Sequence, residues 1–318
     1  MNITASAPAG LSPRARFGST ATDLLSERED LAVVIAEISA QHLEDAARAH
    51  PERVINVGIR EQLLVGTGAG LALNGIRPLI HTFAPFLVER AFEQIKLDFA
   101  HQGVGGVLVG SGGSFDMSGE GRTHQGPADV ALAATVPGMV IHAPATSDEV
   151  ESTLRTAAAD TGLHYVRVSD RAQRTQIPAD GAMHVLRTGG AERGSARRPP
   201  LTLIALGTVR DAALEAARAL DATLLSSTTA LPLDGAALRA HAGAEVVVIE
   251  PWLEGTSLGA VAAALDDAPR RFLGIGTSRT ELRRYGTPSQ HEAAHGLDPA
   301  GLVRRIREWS RLTDSPHR

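Results

Sequence analysis

A single carboxylate, Glu61, lies in a stretch that is otherwise largely apolar or small, V-G-I-R-E-Q-L-L-V-G-T-G-A-G-L-A at 57–72. The stretch follows an extended run at 53–56, and its pattern predicts a helix whose first turn carries Glu61. Such a helix is typical of burial between elements or subunits, where an unpaired anion is costly. Burial disfavours the charged form of a carboxyl group, which suits proton exchange near neutral pH. The alternative is that Glu61 only favours the positive end of the helix dipole.

Two aromatic side chains and one imidazole are further candidates. Phe83 and Phe86 follow a predicted strand at 78–81, in a chain with only 3% aromatic residues. Their faces could cover a flat, partly polar ring, or they could pack in the core. His124 lies in the polar loop G-E-G-R-T-H-Q-G, where an imidazole could pass protons near pH 7. The alternative is a surface histidine bonded to the backbone.

Short apolar runs alternate with helical patterns along the chain, which predicts a doubly wound α/β fold with a parallel sheet. In such folds ligands bind at the carboxyl edge of the sheet. The predicted strands of the first unit lie at 31–35, 78–81, 104–109, 139–142 and 164–168. The predicted helices lie at 14–25, 88–100, 127–134 and from 147 onward, besides the helix of Glu61.

Composition shifts divide the chain into four parts. Residues 1–12 are rich in Ala, Pro and Ser and predict a flexible tail, and residues 13–175 form the first α/β domain. An Arg/Gly/Pro-rich linker with one or two short strands is predicted at 176–199, before a smaller α/β domain at 200–318. In this second domain we expect strands at 201–206, 223–225, 245–249 and 271–275 and a final helix at 299–311.

Composition also excludes several classes of protein. The net charge of −5 and the pI near 6.2 give no basic footprint for nucleic acid. No cysteine is present, so disulfides and thiolate metal sites are excluded. The first residues lack a charged and apolar leader pattern, and no apolar run reaches the length of a membrane span. We therefore expect a cytoplasmic protein.

Several sequence motifs, taken together in their order along the chain, resemble the transketolase family. The first domain carries G-I-R-E-Q at 58–62, H-T-F-A-P-F-L-V-E-R-A-F-E-Q-I at 81–95, S-G-E-G-R-T-H-Q-G at 118–126 and H-Y-V-R-V at 164–168. The second carries V-V-V-I-E at 246–250, G-T-S-L-G at 255–259 and Y-G-T-P at 285–288. The first set resembles the family's pyrimidine-binding domain and the second its C-terminal domain, so the likeness spans roughly residues 12–312.

The resemblance implies thiamine diphosphate chemistry, in which a two-carbon ketol unit passes from a ketose to an aldose, or between their phosphates. It implies that Glu61 bonds the ring nitrogen of the cofactor's aminopyrimidine and so promotes loss of the thiazolium C2 proton. Phe83 and Phe86 would stack on the aminopyrimidine. His124 would face the reacting centre of the substrate.

Four further residues take roles only through this resemblance. Arg14 and Arg167 match arginines that grip the sugar phosphate, and Glu37 takes the place of an aspartate near the cofactor and the subunit interface. Glu120 stands where the family has a substrate-binding aspartate and is one methylene longer. Gly112 replaces a histidine that contacts the phosphate, so these two departures leave the substrate and its phosphorylation open.

The same resemblance implies a partner. The family holds the cofactor's diphosphate through magnesium with a G-D-G loop and a later asparagine, whereas this chain contains no G-D-G and only three asparagines. We expect a separate N-terminal subunit that binds the diphosphate and Mg²⁺, in an α2β2 complex. His291 and His295 have the i, i+4 spacing of a metal pair, but without a third ligand they are interpreted as solvated and no metal site is predicted.

Three alternatives remain open at this point. The same pair of domains is found in 1-deoxyxylulose-5-phosphate-synthase-like enzymes and in the β subunit of 2-oxo-acid dehydrogenases. The stretch R-A-F-E-Q-I at 90–95 favours the two-subunit transketolases over the synthase. A non-catalytic regulatory subunit is the third alternative, against which the presence of Glu61 and His124 argues.

Overall fold

The computed structural model describes residues 10–190 and 201–311, and residue 311 is described by its backbone alone. Seven strands form the first sheet. Six of them are parallel: β1 (Leu31–Ile35), β2 (Val54–Asn56), β3 (Arg77–Phe83), β4 (Gly106–Ser111), β5 (Val140–His142) and β6 (Leu163–Val168). The seventh, β10 (Thr229–Leu231), comes from the second half of the chain and pairs antiparallel with β5. The order is β10-β5-β6-β4-β3-β1-β2, and the parallel arrangement was correctly predicted.

Helices cover both faces of this sheet, as burial of the apolar strands requires. They are α1 (Pro13–Glu27), α2 (Glu44–Ala49), α3 (Glu61–Leu73), α4 (Phe92–Gln94), α5 (Asp129–Ala133) and α6 (Ser147–Ala159). Ser12 caps α1 by accepting the amide N–H of Ala15. In α3, a Cβ added to Gly68 would lie 2.2 Å from Cδ1 of Ile80, so a glycine lets this helix approach β3 closely.

The helix predicted at 88–100 differs from a regular α-helix. Residues Pro85–Arg90 and Ile95–His101 are π-helical, with only α4 between them. The helical segment therefore begins directly after β3 and carries Phe86 and Arg90 near its start. Such π turns are uncommon and recur at functional sites.

Five strands form the second sheet, in the order β12-β11-β8-β9-β7. They are β7 (His184–Arg187), β8 (Leu201–Leu206), β9 (Thr223–Ser227), β11 (Glu245–Leu253) and β12 (Arg271–Thr277). The helices are α7 (Arg210–Leu220), α8 (Gly235–His241), α9 (Leu258–Ala264), α10 (Pro288–His295) and α11 (Pro299–Arg311). The predicted linker supplies β7, which lies antiparallel to β9. Linker residues 191–199 and tail residues 1–9 lie outside the described residues.

A buried ion pair joins the two units. Arg210, at the start of α7, donates to Oε1 of Glu149 in α6 at 2.5 Å, and both side chains are fully buried. The same guanidinium donates to the carbonyl oxygen of Thr175 at 2.8 Å and to Oγ of Ser226 at 3.0 Å. Because each donor has an acceptor, this charge can be buried, and the pair fixes the second unit against the first.

Within residues 10–190 and 201–311, no helix is both long enough and apolar enough to cross a bilayer. The longest described helix, α1, has 15 residues, whereas a span needs about 20. The cytoplasmic location stays a prediction.

Candidate functional site

The carboxyl ends of β1 to β6 lie at one edge of the first sheet, and most of the predicted site residues emerge there. Glu37 follows β1, Glu61 opens the helix after β2, and Phe83 ends β3. The loop at 112–128 follows β4 and carries Glu120 and His124. Parallel strands thus bring together side chains that are distant in sequence.

Glu61 is buried, with 2% of its surface exposed, but it is not alone. Its Oε2 lies 2.9 Å from Nη1 of Arg90, and the Arg90 side chain is 41% exposed. This partner comes from the π-helical segment 29 residues further along the chain, and the sequence pattern did not indicate it. A buried anion with a nearby cation is the ordinary physical solution.

Arg90 also contacts one of the predicted aromatic residues, Phe86. Its guanidinium carbon lies 4.0 Å from the ring centroid of Phe86, a cation–π geometry. The His124 ring meets Phe86 at 4.9 Å and Phe83 at 5.8 Å, both edge to face. We refer to Glu61, Phe83, Phe86, Arg90 and His124 as the open cluster. In this cluster Arg90 contacts Glu61 and Phe86, and the rings of Phe83 and His124 pack against Phe86.

Arg14 lies beside the open cluster. Its guanidinium carbon is 5.6 Å from the ring centroid of Phe83, and Nη1 is 3.4 Å from Oδ2 of Asp170. Burial raises the pKa of the Asp170 carboxyl, while the positive charge of Arg14 partly offsets this effect. Arg14 therefore lies near the expected site, with one loose ion pair holding it.

The side chains of Glu37 and Glu120 are exposed at the same edge of the sheet. Glu37 has a left-handed backbone conformation with φ of 65°, and its amide N–H donates to Oδ1 of Asn56. Among the described residues, neither carboxylate has an ion-pair partner. The roles expected for them near the cofactor and the substrate stay predictions.

Arg167 does not fit its expected role. Only 4% of it is exposed, and its Nε donates to Oδ2 of Asp129 at 2.7 Å. Tyr165 donates to the same carboxylate oxygen at 2.8 Å, and Nη2 of Arg167 donates to Oγ of Ser114 at 2.6 Å. We call Ser114, Asp129, Tyr165 and Arg167 the closed network. β6 is an inner strand whose residues are all buried, so Arg167 lies in the interior and is not placed to grip a phosphate.

Charge stabilisation inside the closed network is strong. Burial alone would lower the pKa of Arg167, but the carboxylate of Asp129 raises it overall. Burial and the same carboxylate raise the pKa of the Tyr165 hydroxyl well above its usual value. Ser114 in turn donates to the carbonyl oxygen of Pro251, so the network reaches into the second unit. The closed network therefore acts as an internal tie, a buried connection between the two units, rather than as a ligand site.

A more exposed arginine lies four residues beyond Arg167. The Arg171 side chain is 36% exposed and pairs with Asp116 at 3.0 Å and with Glu292 of α10 at 2.7 Å. Arg167 lies within β6 and Arg171 follows the strand, and the sequence resemblance indicated only Arg167.

His291 and His295 are also placed differently from the interpretation as solvated side chains. Their exposed fractions are 0% and 5%. Both imidazoles stack on the ring of Phe115, with centroid distances of 4.3 Å and 5.1 Å. These two histidines belong to the interior between the two units.

Comparison with known proteins identifies the class. Residues 10–175 match the transketolase pyrimidine-binding domain, which is more than half of the chain. The chain belongs to the transketolase family through this domain. The first unit thus has the shared fold of a thiamine-related enzyme family.

Among curated relatives, a protein of Rhodococcoides fascians described as an uncharacterized 33.6 kDa protein in the fasciation locus is 39% identical over 92% of this chain and 93% of its own length. The 1-deoxy-D-xylulose-5-phosphate synthase of Leptothrix cholodnii is 33% identical over 92% of this chain and 47% of the synthase. The chain therefore spans about half the length of this synthase. The preference for transketolase that R-A-F-E-Q-I suggested is not reproduced in these relatives.

Solved structures show the same fold. A split-gene transketolase described as an inactive beta4 tetramer has a TM-score of 0.79 and 26% identity, covering 94% of this chain and 98% of that one. The transketolase of Campylobacter jejuni has a TM-score of 0.76 at 16% identity, and the match covers 96% of this chain and 48% of that one. Both units of the chain therefore have the architecture of a transketolase C-terminal half.

Proposed function

We propose that this chain is the C-terminal subunit of a thiamine-diphosphate-dependent transketolase that moves a two-carbon ketol unit from a ketose or its phosphate to an aldose or its phosphate. One observation carries the proposal: Glu61 is buried at the carboxyl edge of the sheet, within a cluster that also holds Phe83, Phe86 and His124. A carboxyl group beside aromatic faces suits a flat heterocycle with a basic ring nitrogen.

The residues of the open cluster fit the pyrimidine end of the cofactor. Glu61 offers a carboxyl oxygen to a ring nitrogen, while the ring of Phe86, already covered by a guanidinium 4.0 Å away, offers a face for a flat cation or ring. When bound, thiamine diphosphate would supply an electron sink for cleavage of the carbon–carbon bond. Glu61 would hold and share the proton at the ring nitrogen, and positioned proton transfer is worth about 100- to 10,000-fold in rate.

His124 and Arg14 complete the proposed site. The imidazole of His124 lies against both phenylalanine rings, so it would face a substrate held above them and exchange a proton with its hydroxyl. Arg14 would bind an anionic end of the substrate, because its present ion pair is long and partly exposed. Arg90 would move aside or remain as the cation that orients Glu61.

The diphosphate end of the cofactor would belong to a partner. Within residues 10–190 and 201–311, no group of three or more His, Asp or Glu side chains is placed to hold a metal ion. On the described surface, large apolar side chains are exposed just before α3 and at both ends of it: Ile59 is 71%, Leu63 48% and Leu73 57% exposed. These exposed apolar side chains support burial of α3 against another subunit. The likeness over 98% of a split-gene transketolase chain supports the same division, for which we propose an α2β2 complex with Mg²⁺ held by the N-terminal subunit.

Reconstitution tests this proposal. The chain is mixed with the separately produced N-terminal subunit, and binding of thiamine diphosphate is measured by calorimetry with and without Mg²⁺. We expect tight, magnesium-dependent binding by the mixture and none by either chain alone. Tight binding by this chain alone would contradict the division between two subunits.

A second candidate is a 1-deoxyxylulose-5-phosphate-synthase-like activity, favoured by the 33% identity to the Leptothrix cholodnii synthase over 92% of this chain. Product analysis with the reconstituted complex separates the two. Pyruvate with an aldose phosphate releases carbon dioxide in the synthase reaction, whereas ketol transfer from a ketose releases none. Carbon dioxide release without sugar condensation would instead indicate a 2-oxo-acid dehydrogenase β subunit, and no turnover at all a regulatory subunit.

A further inference from the structure

A cavity of about 250 Å³ lies between the two units, apart from the open cluster. One wall is the loop at 112–128, through Arg122 and Gln125, and the other is the segment at 277–282 of the second unit. None of its lining residues belongs to the open cluster. The proposed reaction therefore makes no use of this cavity.

Two buried imidazoles and one phenyl ring line the cavity. Phe115, His291 and His295 are 6%, 0% and 5% exposed. The imidazole planes lie within 16° and 11° of the phenyl plane. Stacking of this kind fixes the rings and so the directions of their nitrogen atoms.

The hydrogen bonds of the two histidines define their tautomers. Nε2 of His291 lies 2.8 Å from the carbonyl oxygen of Tyr285, which only accepts, so Nε2 carries the proton and Nδ1 is an acceptor. Nδ1 of His295 accepts the amide N–H of Ser278 at 3.3 Å, so its Nε2 carries the proton and is a donor. Neither His291 Nδ1 nor His295 Nε2 has a hydrogen-bond partner among the described residues. Burial lowers the pKa of His295, in keeping with a neutral ring.

Two arginines and two glutamates line the cavity. Arg122 is already paired with Glu281 at 2.8 Å, whereas Arg279 is exposed and has no carboxylate within ion-pair distance among the described residues. Glu89 also lines the cavity, and burial together with Asp129 raises the pKa of its carboxyl. The lining therefore includes one guanidinium without a carboxylate partner, one imidazole donor and one imidazole acceptor among the described residues.

We propose that this cavity binds a small hydroxylated anion, a hydroxycarboxylate or a phosphate. Its anionic oxygens would meet Arg279 and Nε2 of His295, and a hydroxyl would donate to Nδ1 of His291. The volume matches that of roughly eight water molecules at about 30 Å³ each, which suits a metabolite of three or four carbons.

Binding here would stabilise the loop that carries Glu120 and His124. The loop already donates across the cavity from Ser118 to the carbonyl oxygen of Gly286 at 2.7 Å and from Gln125 to that of Arg284 at 3.1 Å. A ligand between Arg122 on this loop and Arg279 on the other wall adds to these contacts. Occupancy of the cavity would thus regulate the order of the loop.

Ligand titration of the isolated chain tests the inference. D-glycerate and inorganic phosphate are titrated separately by calorimetry, and hydrogen exchange of the loop at 112–128 is measured with and without each. We expect at least one probe to bind with a dissociation constant below about 1 mM and to slow exchange of the loop. Binding of glycerate alone indicates a hydroxycarboxylate, and binding of phosphate alone a phosphate.

Two variants and a control locate the binding. Arg279→Ala and His295→Phe should each weaken binding about tenfold, equivalent to about 1.4 kcal/mol. Arg283→Ala, an exposed arginine outside the cavity lining, should leave it unchanged. Failure of both probes to bind, or equal effects of Arg279→Ala and Arg283→Ala, would overturn the inference. No turnover is measured, so this result is independent of the proposed function.

Discussion

Two buried carboxylates at the same sheet edge are paired with arginines, but the two pairs differ in access. In the open cluster the Glu61 side chain is 3% exposed and the Arg90 side chain 41%. In the closed network the Asp129 side chain is fully buried and the Arg167 side chain is 3% exposed. One guanidinium is held by one carboxylate and an aromatic face, and the other by a carboxylate and a hydroxyl.

This difference in the exposure of the arginine distinguishes a candidate catalytic site from a structural ion pair. The Arg90 guanidinium reaches solvent and can be replaced beside Glu61 by another partner of the carboxyl group, although the buried Glu61 needs such a partner. An arginine inside the protein cannot leave, because the buried charge that remains would lack a partner. Pairing alone thus does not identify a functional residue, and exposure of the partner does.

The largest effect is expected from Glu61→Gln. This change keeps the shape of the side chain and removes its ability to share a proton. Turnover of the reconstituted complex should fall about 100- to 10,000-fold, while the unfolding transition of the chain is little changed. Glu93→Gln, on an exposed carboxylate paired with Lys96, is the control and should leave turnover unchanged. Equal turnover of Glu61→Gln and wild type would support a regulatory subunit.

Arg167→Met tests the closed side of the comparison. It leaves Asp129 buried without its cation and should lower the free energy of unfolding by about 3–5 kcal/mol, measured by denaturant titration. Arg48→Met removes a pair whose side chains are 75% and 86% exposed and should change it by less than about 0.5 kcal/mol. A loss below about 1 kcal/mol for Arg167→Met would show that the network is not an internal tie.

Acid should destabilise the folded protein through the buried His142. Burial, and then the neighbouring His164, lowers the pKa of His142 to about 4 from 6.5. Between these values the unfolded state binds more protons, so stability is full above pH 6.5 and is lost as the pH falls toward 4. This histidine alone should remove about 1 kcal/mol between pH 6.5 and 5.5. His142→Gln should flatten that dependence, and an unchanged slope would contradict the assignment.

The smallest effect is expected from Arg90→Met. The free energy of unfolding should fall by less than in Arg167→Met, because the guanidinium is 41% exposed and water can reach the place it leaves beside the buried Glu61. If Arg90 competes for Glu61 and the ring of Phe86, removing it should tighten binding of thiamine diphosphate by the complex about fivefold. Lys96→Met, on the same helical segment, is the matched control. Weaker cofactor binding would instead show that Arg90 orients Glu61.

Much of the backbone was predictable because continuous apolar runs mark buried parallel strands. The bounds of β1 and β8 agree with the predicted runs at both ends. The helix predicted at 88–100 missed the π turns, which depend on packing against β3 and α3 rather than on sequence period. Antiparallel β10, on the edge of the first sheet, was missed because three residues give no pattern.

The site was only partly predictable, because partners come from distant segments. The sequence indicated Glu61, Phe83, Phe86 and His124, and the structure brings these four together. It did not indicate Arg90, whose cation reaches Glu61 only through the π-helical turn. Asp129, whose carboxylate pairs with the buried Arg167, lies 38 residues before it, and no local sequence pattern connects the two.

Exchange of the C2 proton of thiamine diphosphate, followed by NMR in the reconstituted complex, tests the role of Glu61 most directly. We predict rapid exchange with wild-type chain and exchange slowed about 100-fold or more with Glu61→Gln at equal cofactor occupancy. Equal exchange rates in the two complexes would contradict the account, because Glu61 would then take no part in moving that proton.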